Sequence, residues 1–247
     1  MFNNQNYRIK KDIVYKPFDQ KSLTVDVYTP TKKGLKPAVI VVHGGGWKSR
    51  SGDMSGICKD LANAGFIAFN ITYRLAPKNL FPKPLDDVKD FVKWVHDNAI
   101  KYRVDTNQIS GWGYSAGAHL ILMAGLNPET GFKSIVAGGT PADLTVWPNS
   151  DMVTGLLGIT FKENPAFWKK ASPVNLVEKN SPPVFLYHGV YDKMVEIDQM
   201  DKMEAALKSK NVPVETLRIN FMGHVAVYLF SQKSVDEGIR FLKQESF

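Results

Sequence analysis

The feature that most constrains the fold of this sequence is a series of short apolar runs. The first of them, Ala38–Val42, has five consecutive apolar residues. Mainly apolar runs of the same kind follow at 66–71, 134–137 and 184–187. A strand has no polar side when helices cover both of its faces, as they do in a parallel sheet. The sequence therefore predicts a central parallel sheet.

Helical patterns separate these runs. We predict helices at 53–64, 84–100, 116–126, 197–210 and 228–243. Buried strands that alternate with helices are typical of an α/β fold, a mostly parallel sheet with helices on both faces. Ligands of such folds bind beyond the carboxyl ends of the strands. We therefore expect the functional residues directly after the apolar runs.

The segment before the first run has a different pattern. Leu23, Val25 and Val27 alternate with polar residues, which predicts an antiparallel edge hairpin that ends at Pro30. The first strand-like segment thus begins near Leu23. No linker rich in proline, glycine or serine divides the chain, so we expect residues 1–247 to form one domain with a small cap-like insertion at about 141–173.

Composition narrows the class of protein. The chain is 44% hydrophobic and 22% charged, as in globular proteins, and it has no apolar stretch long enough to span a membrane. Cys58 is the only cysteine, so no internal disulfide can form. We expect no metal and no cofactor. The first six residues lack a secretion signal, which favours the cytoplasm and leaves open the export of a processed form.

Charge gives little support for a nucleic-acid partner. The formal net charge is +7, but the lysine pairs along the chain are isolated from one another. A nucleic-acid site needs a continuous basic stripe or a known reading motif. We therefore interpret these lysines as a solvated surface that retains some attraction for polyanions.

The segment Gly113–Gly117 matches the pattern GxSxG and places Ser115 between a short apolar run and a helix-forming stretch. In this arrangement a sharp strand-to-helix turn presents a nucleophilic serine, and glycines prevent collisions across the turn. An ordinary turn with a solvent-facing serine has the same local sequence. Other parts of the sequence distinguish a nucleophilic serine from an ordinary turn, because a serine nucleophile needs a base, an orienting carboxylate and donors for the oxyanion.

A glycine-rich segment follows the first apolar run. His43–Trp47 reads HGGGW, and its backbone amides can point at a developing negative charge. We predict that backbone amides of this segment, together with the amide of Ala116, form an oxyanion hole. The segment lacks the lysine and hydroxyl residue that follow the glycines of a phosphate-binding P-loop.

The acid and the base are expected at two later strand ends. Asp192 follows the run at 184–187, and His224 follows a further predicted strand at about 215–221. Glu196 and Asp198 are weaker candidates for the acid. The order serine, aspartate, histidine is the one expected when such a turn carries the nucleophile. Of the other histidines, we expect His43 and His188 to brace their loops and His96 and His119 to have packing or surface roles.

With these blocks in place, the sequence resembles the α/β-hydrolases of the hormone-sensitive-lipase and carboxylesterase type, especially small bacterial and feruloyl-esterase-like members. The resemblance covers about residues 23–240. It rests on His43–Trp47, Tyr73–Pro77 with Phe81-Pro82 and Asp87-Val88, the Ser115 turn, and the loops of Asp192 and His224. It implies a Ser115, Asp192 and His224 triad with Gly44, Gly45 and Ala116 around the oxyanion. It also implies a structural ion pair between Arg74 and Asp87.

Two features depart from that family. Val225 stands where a small residue often follows the catalytic histidine, and little chain precedes the sheet to form a helical cap. The remaining candidate cover is 141–173, whose aromatic residues can either line a pocket or pack the insertion onto the sheet. For the substrate pocket we predict Trp47, Tyr114 and Trp147.

We therefore expect a serine carboxylesterase that acts on short-chain acyl, aryl or sugar esters through an acyl-enzyme. Its partner is a small-molecule ester, and a homodimer is left open. Two alternatives stand beside this function. The first is an arylformamidase similar to kynurenine formamidase, and the second is a non-catalytic binding protein on a hydrolase fold.

Overall fold

The computed structural model of the protein describes residues 6–18 and 21–246. Residues 1–5, on which the expectation about a secretion signal rests, lie outside the described residues. Within the described ranges the strands form one sheet with the order β1-β2-β4-β3-β5-β6-β7-β8. The strands are β1 (Tyr7–Phe18), β2 (Lys21–Pro30), β3 (Lys36–Val42), β4 (Ile67–Ile71), β5 (Val104–Tyr114), β6 (Ile135–Gly138), β7 (Val184–Gly189) and β8 (Val214–Ile219).

The predicted parallel sheet is confirmed for β3 to β8. Each neighbouring pair among these strands is parallel, whereas β2 pairs antiparallel with both β1 and β4. The uninterrupted run in β3 has a simple cause. Ile40 and Val42 pack into the core on one face of the sheet, and Val39 and Val41 pack into the core on the other. Each such buried side chain contributes about 1.5–3 kcal/mol to folding.

The expectation that the first strand begins near Leu23 is wrong. β1 begins at Tyr7 and forms the outer edge of the sheet, with β2 behind it. A register shift lies between Lys10 and Ile13, and Asp12 has a positive φ of 55°. The bulge and the exposed polar residues of this edge strand break the alternation that a sequence pattern would reveal.

The helices lie close to their predicted positions. They are α1 (Ser55–Asn63), α2 (Lys83–Asp97), α3 (Ala99–Tyr102), α4 (Ala116–Gly125), α5 (Asp151–Leu157), α6 (Pro165–Lys170), α7 (Asp198–Ser209), α8 (His224–Phe230) and α9 (Gln232–Ser246). The single helix predicted at 228–243 is wrong, because Ser231 has a non-helical ψ of 76° and separates two helices. His224 therefore opens a helix of its own.

The segment 141–173 is more helical than its sequence suggests. It contains α5 and α6, with short 3-10 turns at Leu144–Val146 and Pro173–Asn175. Ser150 and Asn164 cap the two helices through their side chains. This insertion lies between β6 and β7, on the carboxyl side of the sheet.

The fold brings four strand ends to one edge. Val42 is paired in register with Gly113, Tyr114 with Gly138, and Gly138 with Tyr187. Because these strands are parallel, the loops that follow them emerge side by side. No helix in the described part of the chain is long and apolar enough to cross a membrane.

Candidate active site

Ser115 stands at the junction of β5 and α4 in a backbone conformation that is rare for a residue with a side chain. Its φ is 55° and its ψ is −124°. The turn is held by the amide of Ser115, which donates to the carbonyl of Gly138 at 2.8 Å. Strain of this kind persists only where the surrounding structure enforces it, and it is frequent at functional sites.

The glycines on either side of Ser115 are required by close packing. A Cβ on Gly113 would lie 2.4 Å from the backbone of Gly117, and a Cβ on Gly117 would lie 2.1 Å from the carbonyl oxygen of Val42. Neither backbone neighbour can move without disrupting the sheet. The GxSxG pattern is thus a steric requirement of the turn.

The glycine loop after β3 lies against Ser115. A Cβ on Gly44 would be 3.3 Å from the Cβ of Ser115 and 3.0 Å from the carbonyl oxygen of Tyr114. Gly45 has a φ of 114°, and its carbonyl accepts hydrogen bonds from Lys48 and Ser49. The amide of Ala116 is at the first turn of α4, where an amide has no acceptor within the helix. Gly44 and the first turn of α4 therefore both adjoin Ser115.

Two buried histidines support the glycine loop. His43 donates from Nδ1 to the Gly44 carbonyl at 2.7 Å and stacks on the ring of Tyr73. The indole of Trp47 donates to Nδ1 of His119 at 3.2 Å, and Nε2 of His119 donates to the carbonyl of Ala171 at 2.8 Å. Burial lowers the pKa of both His43 and His119 to about 4. Both histidines are thus neutral at pH 7, and their hydrogen bonds hold the glycine loop at Gly44 and Trp47.

His224 and Asp192 form a buried pair. Nδ1 of His224 lies 2.6 Å from Oδ2 of Asp192, and the other oxygen of Asp192 accepts from the amides of Met194 and Val195, each at 2.9 Å. Burial raises the pKa of Asp192, but hydrogen bonds from His188, His224 and the Val195 amide outweigh it and hold that pKa well below its usual range. Asp192 is therefore a carboxylate that orients His224.

A second histidine contacts the same carboxylate. Nε2 of His188 lies 3.3 Å from Oδ2 of Asp192 and donates to the carbonyl of Val195 at 2.8 Å. His188 is 1% exposed, so water does not compete for these contacts. It braces the loop that carries Asp192.

His224 is fixed from three sides. The hydroxyl of Tyr114 donates to its carbonyl at 2.6 Å, and the two rings are in contact. A Cβ on Gly139 would lie 2.9 Å from Cε1 of His224. Gly138, the neighbour of Gly139, accepts the amide of Ser115. The end of β6 therefore joins the serine turn to His224. The sequence signal for this contact is the pair of glycines, Gly138 and Gly139, that follows the apolar run at 134–137.

The weaker candidates for the acid have other partners. Glu196 accepts a hydrogen bond from the indole of Trp147 at 3.1 Å, and Asp198 lies 3.6 Å from the ammonium of Lys202. Neither is paired with a histidine. The ion pair between Arg74 and Asp87 is present, with Nε of Arg74 2.7 Å from the carboxylate.

The residues predicted to line the pocket have mainly internal contacts. Trp47 is 2% exposed and Tyr114 is 3% exposed, and both are held by the hydrogen bonds described above. We interpret them as support beneath the site. Trp147 is half-buried beside Glu196.

The aromatic residues of the segment 141–173 mostly pack against one another and against the hydrophobic core. Trp168 is fully buried, donates to the carbonyl of Ile159 and contacts Phe161, and Phe167 packs on Phe81. Met152 of α5 reaches the glycine loop, since its sulfur lies 2.8 Å from where a Cβ of Gly46 would be. The segment 141–173 thus approaches the glycine loop through Met152.

Exposed apolar side chains lie on the chain segments that carry Asp192 and His224. Phe221 is 81% exposed and contacts Tyr191, while Val225 and Leu229 are exposed on α8 one turn apart. Of these residues only Val225 was singled out from the sequence, because isolated exposed apolar residues are common. We call Tyr191, Phe221, Val225 and Leu229 the apolar rim.

The sheet order, the strained serine turn and the loops at the strand ends define the class of protein. It has the α/β-hydrolase fold. The BD-FAE family model matches residues 25–207, and the chain belongs to this family, which is of the esterase type.

Relatives of the chain agree with this assignment. The chain is 30% identical over 222 residues to esterase LipQ and 28% identical over 220 residues to esterase LipC, both of Mycobacterium tuberculosis. The matches cover 80% and 78% of this chain but 52% and 55% of the relatives, so the chain spans about half of their length.

The fold is also found in solved structures of low sequence identity. A truncated carbohydrate esterase from gut microbiota superposes with a TM-score of 0.87 at 21% identity, covering 98% of both chains. A thermophilic esterase from Thermogutta terrifontis gives a TM-score of 0.80 at 22% identity, covering 97% of this chain and 92% of its own.

Proposed function

We propose that this protein is a serine carboxylesterase with Ser115 as nucleophile, His224 as base and Asp192 as orienting acid. The observation that carries the proposal is the 2.6 Å contact between Nδ1 of His224 and Asp192. It fixes the tautomer of His224 and leaves Nε2 as the proton acceptor. Membership of an esterase-type family supports the same activity.

The reaction has two steps. His224 takes the proton of Ser115 as the serine oxygen attacks the ester carbonyl, and the amides of Gly44, Gly45 and Ala116 stabilise the oxyanion. The protonated His224 then donates to the leaving alcohol, which gives an acyl-enzyme. In the second step water attacks the acyl-enzyme with His224 as base, and Ser115 is restored.

The surroundings of the site favour small or flat acyl groups. Met152 and the glycine loop limit the space on one side of Ser115, and the apolar rim offers a surface for an aryl or alkyl group beside His224. The insertion at 141–173 is too short to enclose a long chain. We therefore propose esters with a short acyl or an aryl group as substrates.

A substrate panel tests this function. p-Nitrophenyl acetate, a feruloyl ester and N-formylkynurenine are compared at equal enzyme concentration, and labelling by a fluorophosphonate is read by intact mass. We expect turnover of one or both esters and a single label that maps to Ser115. Faster turnover of the formamide would assign the arylformamidase activity instead. Absence of both label and turnover would indicate a binding protein.

A further inference from the structure

Some of the lysines and arginines that are scattered along the sequence come together on the surface. A groove of about 460 Å³ lies at the amino ends of the parallel strands, where β1, the turn before β3 and the end of α3 meet. Each of the three segments contributes basic side chains. Seven line the groove: Arg8, Lys10, Lys32, Lys33, Lys36, Lys101 and Arg103. We call this set the basic groove, and it corrects the interpretation of the lysines as isolated.

These charges are not neutralised within the protein. The residues that line the groove include no carboxylate. Among the described residues, none of the seven forms an ion pair with an aspartate or glutamate. Elsewhere the chain pairs its cations readily, as at Lys16 and Arg74, which share Asp87. Like charges placed together without partners attract an anionic ligand.

Two exposed aliphatic side chains are chain neighbours of residues that line the groove, although they do not line it themselves. Leu35 is 68% exposed between Gly34 and Lys36, and Ile100 is 95% exposed next to Lys101. The two segments are joined by a hydrogen bond from the Lys36 amide to the Arg103 carbonyl at 2.9 Å. Cations that flank protruding aliphatic residues are the pattern of a surface that adsorbs to lipid.

We propose that the basic groove with Leu35 and Ile100 adsorbs to an anionic lipid bilayer. The lysines and arginines contact the headgroups, and the two aliphatic side chains enter the boundary of the acyl chains. A water-soluble polyanion would use the same charges but would gain nothing from exposed Leu35 and Ile100. The aliphatic pair therefore favours a lipid surface over nucleic acid.

The position of the groove sets the orientation of the bound protein. β3 begins at Lys36 and ends one residue before His43, so the groove and the glycine loop lie at opposite ends of the same strand. Seven residues of strand separate them by roughly 20 Å. Adsorption through the groove thus points the candidate active site away from the bilayer, towards substrates in water.

Vesicle cosedimentation tests the proposal with the full chain. Vesicles of phosphatidylcholine alone are compared with vesicles that contain roughly 30% phosphatidylserine, at low and at physiological salt. We expect binding to the anionic vesicles that weakens as salt screens the charges. The variant K32E/K33E/K101E/R103E should bind them at least 10²-fold more weakly.

A matched control separates the groove from net charge. The variant K59E/K162E/K179E/K233E changes the formal charge by the same amount at exposed lysines outside the groove. It should retain most of the binding, and thermal unfolding should show both variants folded. Equal losses in the two variants would overturn the proposal, as would absence of binding to anionic vesicles at low salt.

Replacement of Leu35 and Ile100 distinguishes a lipid surface from nucleic acid as the partner of the groove. L35S/I100S should weaken vesicle binding about ten-fold and leave the affinity for a single-stranded DNA oligonucleotide, read by fluorescence anisotropy, unchanged. If L35S/I100S binds vesicles as well as the parent does, the lipid assignment is wrong. Tighter binding of the parent to the oligonucleotide than to vesicles would assign the groove to nucleic acid instead.

Discussion

His188 lies 3.3 Å from the oxygen of Asp192 that also binds His224. Asp192 is therefore contacted by two imidazoles at one oxygen and receives hydrogen bonds from two backbone amides at the other. Because Asp192 is buried, each of these donors matters for keeping it ionised and correctly placed.

Replacement of His188 tests that arrangement. In H188L the loop loses a donor that contacts both Asp192 and the Val195 carbonyl, so we expect kcat to fall about ten-fold with little change in KM. H188Q keeps an N–H group and should recover part of kcat. The pKa of Asp192 should also rise in H188L, so acid unfolding should begin at a higher pH than in the parent. An unchanged kcat and acid-unfolding midpoint would remove His188 from this role.

Loss of the Asp192 charge should be far more severe. D192N keeps the size of the side chain but favours the wrong tautomer of His224, and we expect kcat to fall roughly 10⁴-fold. The variants E196Q and D198N serve as controls, since neither carboxylate contacts a histidine. If E196Q were the damaging change, the acid would have to be reassigned.

The approach of Gly44 to Ser115 makes a third prediction. In G44A the added Cβ would press on the Tyr114 carbonyl at 3.0 Å and on Ser115 at 3.3 Å, which shifts the proposed oxyanion donors. We expect kcat to fall about 10²-fold while the protein stays folded. G56A is the matched control, because a Cβ there meets no atom within 4 Å. It should retain full activity.

Acid stability should depend on His43 and His119. Their pKa values are lowered to about 4 in the folded protein, below the usual 6.5, so the unfolded chain takes up protons first as pH falls. Stability is then full above about pH 6.5 and is lost as pH falls towards 4. Each histidine contributes about 3 kcal/mol to this loss.

Urea unfolding at several pH values measures this loss. In H119Q the decline between pH 6.5 and 4 should be shallower than in the parent, whereas H96Q, at an exposed position on α2, should follow the parent. A decline that is equally steep in H119Q would contradict the assignment.

The apolar rim makes a prediction about substrates. Phe221 is 81% exposed and is not part of the core, so F221S should remain folded. We expect KM for a feruloyl ester to rise several-fold while kcat/KM for p-nitrophenyl acetate stays the same. Equal changes for both esters would show that Phe221 does not contact the acyl group.

Sequence patterns predicted those parts of the fold that depend on the burial of a single strand or on a residue's position directly after a strand. β3 was predictable because both of its faces are buried, and Ser115, Asp192 and His224 were placed by their positions after strands. β1 was not predictable, because a bulge at Lys10–Ile13 and an exposed edge disrupt its alternation. The contacts of His188 and Gly139 depend on which strands are neighbours in the sheet. The basic groove depends on the same order, since three distant segments form it.

The most direct test of the account is the rate of ester hydrolysis by S115A. With p-nitrophenyl acetate, kcat/KM should fall by on the order of 10⁴-fold or more, because the nucleophile is lost. The control S209A, at the exposed end of α7, should match the parent. If S115A retains the activity of the parent, Ser115 is not the nucleophile and the proposed mechanism is wrong.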